Sequence, residues 1–275
     1  MHTAAEPLDR VSASLRAISA ASLLTLACGA GTDAPDYTVV REFPHDTAAY
    51  TQGLVHADGW LFESTGRYAH SEVRRVELET GRVHAVHRIP ADRFSEGLAL
   101  LDGRLYQLTW KSGVGYVYDA ATLAPLDSFT YAGEGWGLTT DGTVLIKSNG
   151  TATLQFIDPS GLQVVRELRV HERGSELSQL NELEYVRGEL FANVYQSDWI
   201  VRVDLTTGEV LQWLDLAGLL PSRRRTPTTD VLNGIAFIED TGHLLVTGKL
   251  WPLLFEIDVP SVPVSRTSPS ADSGS

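Results

Sequence analysis

The sequence predicts an all-β fold: a five-bladed β-propeller of four-stranded antiparallel blades, with the ring closed by an N-terminal strand. Three observations predict it. A strand–turn–strand unit recurs five times, as LVHADGWLFES (54–64), ALLDGRLYQLTW (99–110), LTTDGTVLIKS (138–148), EYVRGELFANVY (184–195) and AFIEDTGHLLVTGK (236–249). The turn glycines Gly59, Gly103, Gly142, Gly188 and Gly242 lie 44, 39, 46 and 54 residues apart, near the ~45-residue period of a propeller blade. Each unit is followed by a second strand–turn–strand unit: VRRVELETGRV, YVYDAATLAPL, LQFIDPSGLQV, IVRVDLTTGEV and a shortened LFEIDVPS. The shortened repeat lacks one strand. YTVVREF (37–43) is strand-like and precedes the first repeat, so it is expected to supply the outermost strand of the last blade and remove an exposed sheet edge. An open β-sandwich does not account for the fixed period.

In chain order, residues 1–28 read as a signal segment. Arg10 and Arg16 precede a short apolar run from Ile18 to Ala27, the pattern of a secretory signal and too short for the ~20 apolar residues that span a bilayer. Cys28 directly after Ala27 matches a bacterial lipoprotein signal, in which the acylated thiol anchors the chain to the membrane. Thr25 stands where such signals usually carry Leu, which keeps an ordinary cleaved signal as the alternative. Either reading exports the protein to the periplasm or cell envelope of a bacterium. Residues 29–36 are a linker and 37–259 the propeller. Residues 260–275, PSVPVSRTSPSADSGS, hold too little apolar surface to offset the entropy of ordering and are expected to be disordered.

Composition narrows the function. Of 275 residues, 43% are apolar, enough for a substantial core. A formal net charge of −13 argues against a nucleic-acid partner, whose phosphates require a basic face. One cysteine permits neither a disulfide framework nor a cysteine-rich metal site. The histidines are scattered without an HExxH pair, and His56, His84, His87 and His243 read as surface or packing residues. GEGWG (133–137) lacks the helix and lysine of a phosphate loop and reads as the loop entering blade three. Arg223 to Arg225 read as a solvated loop. A monomer is expected.

The repeat register places the candidate site. Just before the innermost strand of each unit stand Gln52-Gly53-Leu54, Glu96-Gly97-Leu98, Trp136-Gly137-Leu138, Asn181-Glu182-Leu183 and Asn233-Gly234-Ile235. Innermost strands line the channel of a propeller, so these positions form a ring of Gln, Glu, Trp, Asn and Asn at one mouth. The ends of the next strands return to that mouth, bringing Glu63-Ser64, Thr109-Trp110, Ser148-Asn149, Asn193 to Tyr195 and Thr247 to Trp251. The two rings are expected to offer one carboxylate, Glu96, one ammonium, Lys249, several amides, and aromatic walls from Trp110, Trp136, Tyr195 and Trp251. An apolar pocket with a few convergent polar groups is a binding site by default.

At these residues the chain resembles a family. FPHDTAAYTQGL, FSEGLALLDGRLYQLTW, EGWGLTTDG, LNELEYVRGELFANVY and VLNGIAF with VTGKLWP are similar to the plant-type and bacterial glutaminyl-peptide cyclotransferases, from about Tyr37 to Val259. The resemblance implies a five-bladed propeller that cyclises the N-terminal glutamine of peptides or proteins to pyroglutamate with release of ammonia and without a metal or other cofactor. It carries site roles onto Gln52 (with Tyr50 where the family has Phe), Glu96, Trp110, Trp136, Asn181 and Lys249. The chain departs from the family at Ser95, where Gly is usual, at Tyr195, where Trp is frequent, and at Asn149, where Asp is usual. Glu96 is then the general base and acid, Asn181 and Lys249 are oxyanion donors, and Gln52, Tyr50, Trp110, Trp136 and Tyr195 hold the substrate. A non-catalytic peptide-binding propeller of the envelope is the competing reading. A metal-dependent propeller hydrolase would need several carboxylates around the channel.

Overall fold

A computed structural model describes residues 36–260. Cys28, the 1–28 signal segment, nearly all of the 29–36 linker and the tail after Pro260 lie outside the described residues. The body forms five four-stranded antiparallel sheets. Blade one comprises Thr51–Ala57, Trp60–Thr65, Glu72–Glu77 and Val83–Arg88, and blade two Ser95–Leu101, Arg104–Thr109, Val114–Asp119 and Pro125–Thr130. Blade three comprises Leu138–Thr140, Leu145–Lys147, Thr153–Asp158 and Gln163–Arg169, and blade four Leu180–Val186, Glu189–Val194, Trp199–Asp204 and Val210–Asp215. Blade five takes Leu232–Ile238, His243–Gly248 and Leu253–Asp258, and its outermost strand is Thr38–Pro44, paired antiparallel to Leu253–Asp258. The five-bladed reading and the closing strand are therefore as the repeat predicts. A two-residue ribbon, His171–Glu172 with Ser175–Glu176, and one 3-10 turn at Ser222–Arg224 are the remaining elements.

The local reasons are legible. Asp102 and Gly103, at φ 49° and 72°, make a two-residue turn with both central residues left-handed, which matches the twist of the strands it joins. Inner strands are buried along nearly their whole length, as in Leu232–Ile238, whereas outer strands such as Gln163–Arg169 are largely exposed. The apolar residues between neighbouring blades form the core. One cluster joins Val186, Phe191 and Ile200 of blade four to Ile235, Val246 and Phe255 of blade five.

Close packing around the channel explains the Gly-Leu motif. A Cβ on Gly97 would lie 2.3 Å from the backbone nitrogen of Leu138, and one on Gly137 would lie 1.9 Å from the carbonyl oxygen of Asn181. Each glycine thus lets one inner strand press on the start of the next. Gly137→Ala is expected to destabilise the ring by about 3 kcal/mol or more, since overpacking a rigid backbone contact cannot relax locally. That corresponds to a fall in Tm of roughly 6–12 °C for a domain of this size, to be read by thermal denaturation.

The channel carries more carboxylates than the sequence reading allowed. Glu182 Oε1 accepts from the Leu54 N–H (3.2 Å) and Oε2 from the Ile235 N–H (2.8 Å), tying blade four to blades one and five. Glu184 Oε1 accepts from the Phe237 N–H at 2.7 Å and Oε2 from the Thr139 hydroxyl at 3.3 Å. Glu63 is buried with the Arg74 guanidinium, which donates to it at 2.7 and 2.9 Å, and with Thr51 and His45. The expectation of a single carboxylate is corrected on this point. These three are engaged by backbone amides or by Arg74, and Glu96 alone among them faces the pocket.

Candidate active site

The ring residues stand at irregularities in the ladder. Pairing shifts by one residue between Thr51 and Gly53, Ser95 and Leu98, Leu180 and Leu183, and Leu232 and Ile235. Gln52, Glu96, Asn181 and Asn233 lie within these bulges. A bulge turns a side chain away from the regular alternation of the sheet, here at the start of the channel-lining strand in four of the five blades. In blade three the inner strand begins only at Leu138, after Trp136 and Gly137.

Three of the opposing residues share one register position. Trp110 N–H donates to the Phe94 carbonyl, Tyr195 N–H to that of Gln179 and Lys249 N–H to that of Val231, each at 2.9 Å. The second strands therefore deliver an indole, a phenol and an ammonium to equivalent points of the mouth.

The eight residues assigned catalytic or substrate-binding roles line one cavity of about 210 Å³: Tyr50, Gln52, Glu96, Trp110, Trp136, Asn181, Tyr195 and Lys249, with Phe94 as a ninth. At ~30 Å³ per water this is space for a single amino-acid residue. Gln52, Glu96, Asn181 and Lys249 are at most 5% exposed, and the aromatic rings are half-buried. Phe94 packs edge-on against Tyr50 (6.1 Å between centroids) and Trp110 (5.9 Å), and Trp136 against Tyr195 (5.4 Å). Lys249 Nζ lies 4.8 Å from the Tyr50 ring centre and 5.2 Å from that of Tyr195, a cation between two π faces.

Electrostatics sets Glu96 and Lys249 apart from ordinary groups. Burial raises the Glu96 carboxyl well above its usual range; the Lys249 charge pulls against this and Glu134 adds to it. Burial lowers the Lys249 ammonium against the pull of Glu96 and Asp230. Burial, helped by the nearby Asp230, raises the Tyr50 phenol. A carboxyl raised and an amine lowered by burial in one cleft are suited to proton transfer.

Two residues escaped the sequence reading. Phe94 is the blade-two counterpart of Tyr50, two positions before Glu96 as Tyr50 is two before Gln52. The blade-three counterpart at that offset is Glu134, in the stretch read as a plain loop. Glu134 Oε2 accepts from both indole N–H groups, Trp110 at 2.8 Å and Trp136 at 2.9 Å, and Lys111 Nζ lies 3.7 Å from Oε1. Although burial opposes it, the hydrogen bonds from Trp136 and Trp110 and the Lys111 charge hold the Glu134 carboxyl below its usual range. The signal was present: extending the repeat alignment two residues upstream reaches both positions.

Other expectations need correction. Trp251 does not line the pocket. Leu250 adopts φ 61° and turns the chain inward, so Trp251 is buried in the core with its indole N–H donating to the Asp230 carbonyl at 2.9 Å. Asn149 is also absent from the wall; its Oδ1 accepts from the Thr151 N–H and hydroxyl in a local turn. Asn233 acts behind the wall, its Nδ2 donating to the Thr51 carbonyl at 3.0 Å and to Gln52 Oε1 at 3.3 Å.

Comparison with known proteins follows the same direction. A family profile described as glutamine cyclotransferase matches residues 11–259. An Arabidopsis thaliana protein named glutaminyl-peptide cyclotransferase is 46% identical over 225 residues, spanning 80% of this chain and 70% of that one. The crystal structure of Myxococcus xanthus glutaminyl cyclase superposes with a TM-score of 0.75 at 38% identity, covering 81% of this chain and 95% of that chain.

Proposed function

The chain belongs to the glutamine cyclotransferase family, and from that premise we propose how it converts the N-terminal glutamine of a peptide to pyroglutamate with release of ammonia. The observation that carries the proposal is the residue-sized aromatic cavity with Glu96 and Lys249 buried at its wall. The α-amine nitrogen attacks the side-chain carbonyl carbon and forms the ring C–N bond. Glu96 takes the proton that this nitrogen sheds. The bond to the side-chain nitrogen then breaks, and Glu96 returns the proton so that the nitrogen leaves as ammonia. One carboxyl thus acts as general base and then general acid, a role that needs its raised proton affinity.

Lys249 and Asn181 donate to the carbonyl oxygen as negative charge develops, where one such donor is worth about 3 kcal/mol. Asn181 Oδ1 is buried and has no partner among the described residues, so a substrate N–H satisfies it. Gln52, held by Asn233, binds substrate amide. The walls of Tyr50, Trp110, Trp136 and Tyr195 press the glutamine methylenes into the folded conformer that brings amine and carbonyl together. The reading requires no metal, and among the described residues no three His, Cys, Asp or Glu side chains group in a way that could hold one. Ammonia release from a Gln-initiated peptide, unchanged by a chelator, is the expected result; no release, or release abolished by chelation and restored by a metal, overturns it.

Glu134 fixes the two indoles and adds negative charge near Glu96. In Glu134→Gln the amide oxygen still accepts an indole N–H while the charge is gone. The acid limb of kcat is therefore expected to move to lower pH, and an unmoved limb removes Glu134 from the electrostatics. We also propose that the enzyme works outside the cytoplasm, on the strength of Arg10, Arg16, the Ile18–Ala27 run and Cys28. Fractionation of cells expressing wild type and Cys28→Ser tests both export and anchoring.

A further inference from the structure

Since Glu96 and Lys249 lie at the buried wall, the rest of a peptide substrate leaves through the mouth, and Gly66, Arg67 and Tyr68 stand against the pocket residues Phe94 and Tyr50. This loop is fixed in place. Gly66 N–H donates to the Tyr50 carbonyl and Ala69 N–H to the Ala91 carbonyl, both at 2.8 Å, and the Ser71 hydroxyl donates to the Arg67 carbonyl at 2.8 Å. Gly66 lies against Phe94 so closely that a Cβ would stand 2.3 Å from the ring. Tyr68, 52% exposed, packs edge-on to Phe94 at 5.5 Å.

Arg67 is the unusual member. Its φ is 127°, a region that costs a non-glycine residue about 1–3 kcal/mol and is retained where the surroundings enforce it, often at functional sites. The backbone directs the guanidinium carbon to 5.0 Å from the centre of the Tyr50 ring, on the pocket wall. No side-chain hydrogen bond or ion pair engages Arg67 among the described residues. Arg41, Arg74, Arg169 and Arg187 by contrast are all ion-paired. On the other side of the mouth Lys111 stands 3.8 Å over Trp110 but is shared with Glu134. In a chain of net charge −13, an arginine held over a pocket aromatic without a carboxylate leaves its fork of donors open to a ligand.

We propose that Arg67 is a specificity residue that receives the side-chain carboxylate of an acidic residue directly downstream of the N-terminal glutamine. The inference rests on the cyclase reading and deepens it to peptides beginning Gln-Glu or Gln-Asp. The span is suitable: an extended residue advances about 3.3–3.6 Å, so the second side chain emerges directly beside the glutamine.

The test uses C-terminally amidated pentapeptides, identical except for Glu, Ala or Lys at position two, so that the only carboxylate is the one at issue. Ammonia release gives kcat/KM for each in 20 mM and 1 M NaCl. Wild type is expected to favour Glu over Ala about two- to fivefold at low salt, the range of an exposed ion pair, and to disfavour Lys. The preference should fade at 1 M, where screening acts over about 3 Å. In Arg67→Gly, which also relieves the backbone strain, the Glu-to-Ala ratio should fall to one, and Arg67→Lys should keep part of it. Equal rates for the three peptides in wild type, an unchanged ratio in Arg67→Gly, or a ratio lost only in Lys111→Met overturns the assignment while leaving the cyclase reading intact. Turnover of none of the peptides overturns both.

Discussion

Glu96→Gln is expected to fold as the wild type does and to lose about 10²–10⁴-fold in kcat, the usual worth of positioned acid–base catalysis. The substitution is nearly isosteric and replaces a carboxyl whose charged form burial already disfavours, so its thermal unfolding should stay close to that of wild type. The pH profile separates this role from a structural one. A base must be ionised to accept a proton, and the Glu96 carboxyl is raised by burial, so wild-type kcat should climb with pH through an apparent pKa above the ~4.3 of an ordinary glutamate. The residual activity of the variant should lack that limb. Near-full activity on a Gln-initiated peptide, or an acid limb that survives, assigns the proton transfer to another group.

Lys249→Met is expected to lower kcat by roughly 10²–10³-fold, the loss typical of one donor to a developing oxyanion, with a smaller change in KM. Methionine fills the same space between the Tyr50 and Tyr195 rings, and no ion pair within 4 Å is broken among the described residues. Removing a buried ammonium should leave Tm unchanged or raised. The sign of the pH effect is set by the direction of the shift. Burial lowers the Lys249 amine, so a donor that must be protonated is lost as pH rises through a value below the ~10.4 of a free lysine. Wild type should therefore show an alkaline limb that the variant lacks. A rise in KM with kcat preserved makes Lys249 a binding residue and leaves Asn181 as the oxyanion donor.

The elements of this site differ in how far they could be read in advance. Gln52, Glu96, Trp136 and Asn181 are legible because the blade repeats and the pocket-facing position recurs with it, at the bulge that opens the innermost strand for Gln52, Glu96 and Asn181 and just before that strand for Trp136. Trp110, Tyr195 and Lys249 followed from strand reversal, which returns the second strand of each blade to the same mouth. Phe94 and Glu134 occupied the same repeat at an offset of two residues and were readable there. Trp251 was misplaced because nothing in the local pattern marks the turn at Leu250, whose left-handed backbone sends the indole into the core.

By itself, the sequence determined the blade count, the closing strand and the register, because these rest on local turn chemistry and on strand alternation repeated every ~45 residues. Only the tertiary structure decided which polar groups remain available at the channel. Glu182 and Leu54 are 128 residues apart and Asn233 and Thr51 are 182 apart, so ring closure alone brings them into hydrogen-bonding range. Packing of blade on blade occupies Glu182 and Glu184 and sets Glu134 between two indoles, while Glu63 is taken by Arg74 of its own blade. The same packing leaves Glu96 facing the pocket and Arg67 at its mouth. The physical reason is that a buried carboxylate is defined by its partners, and for Glu182 and Glu184 those partners come from other blades.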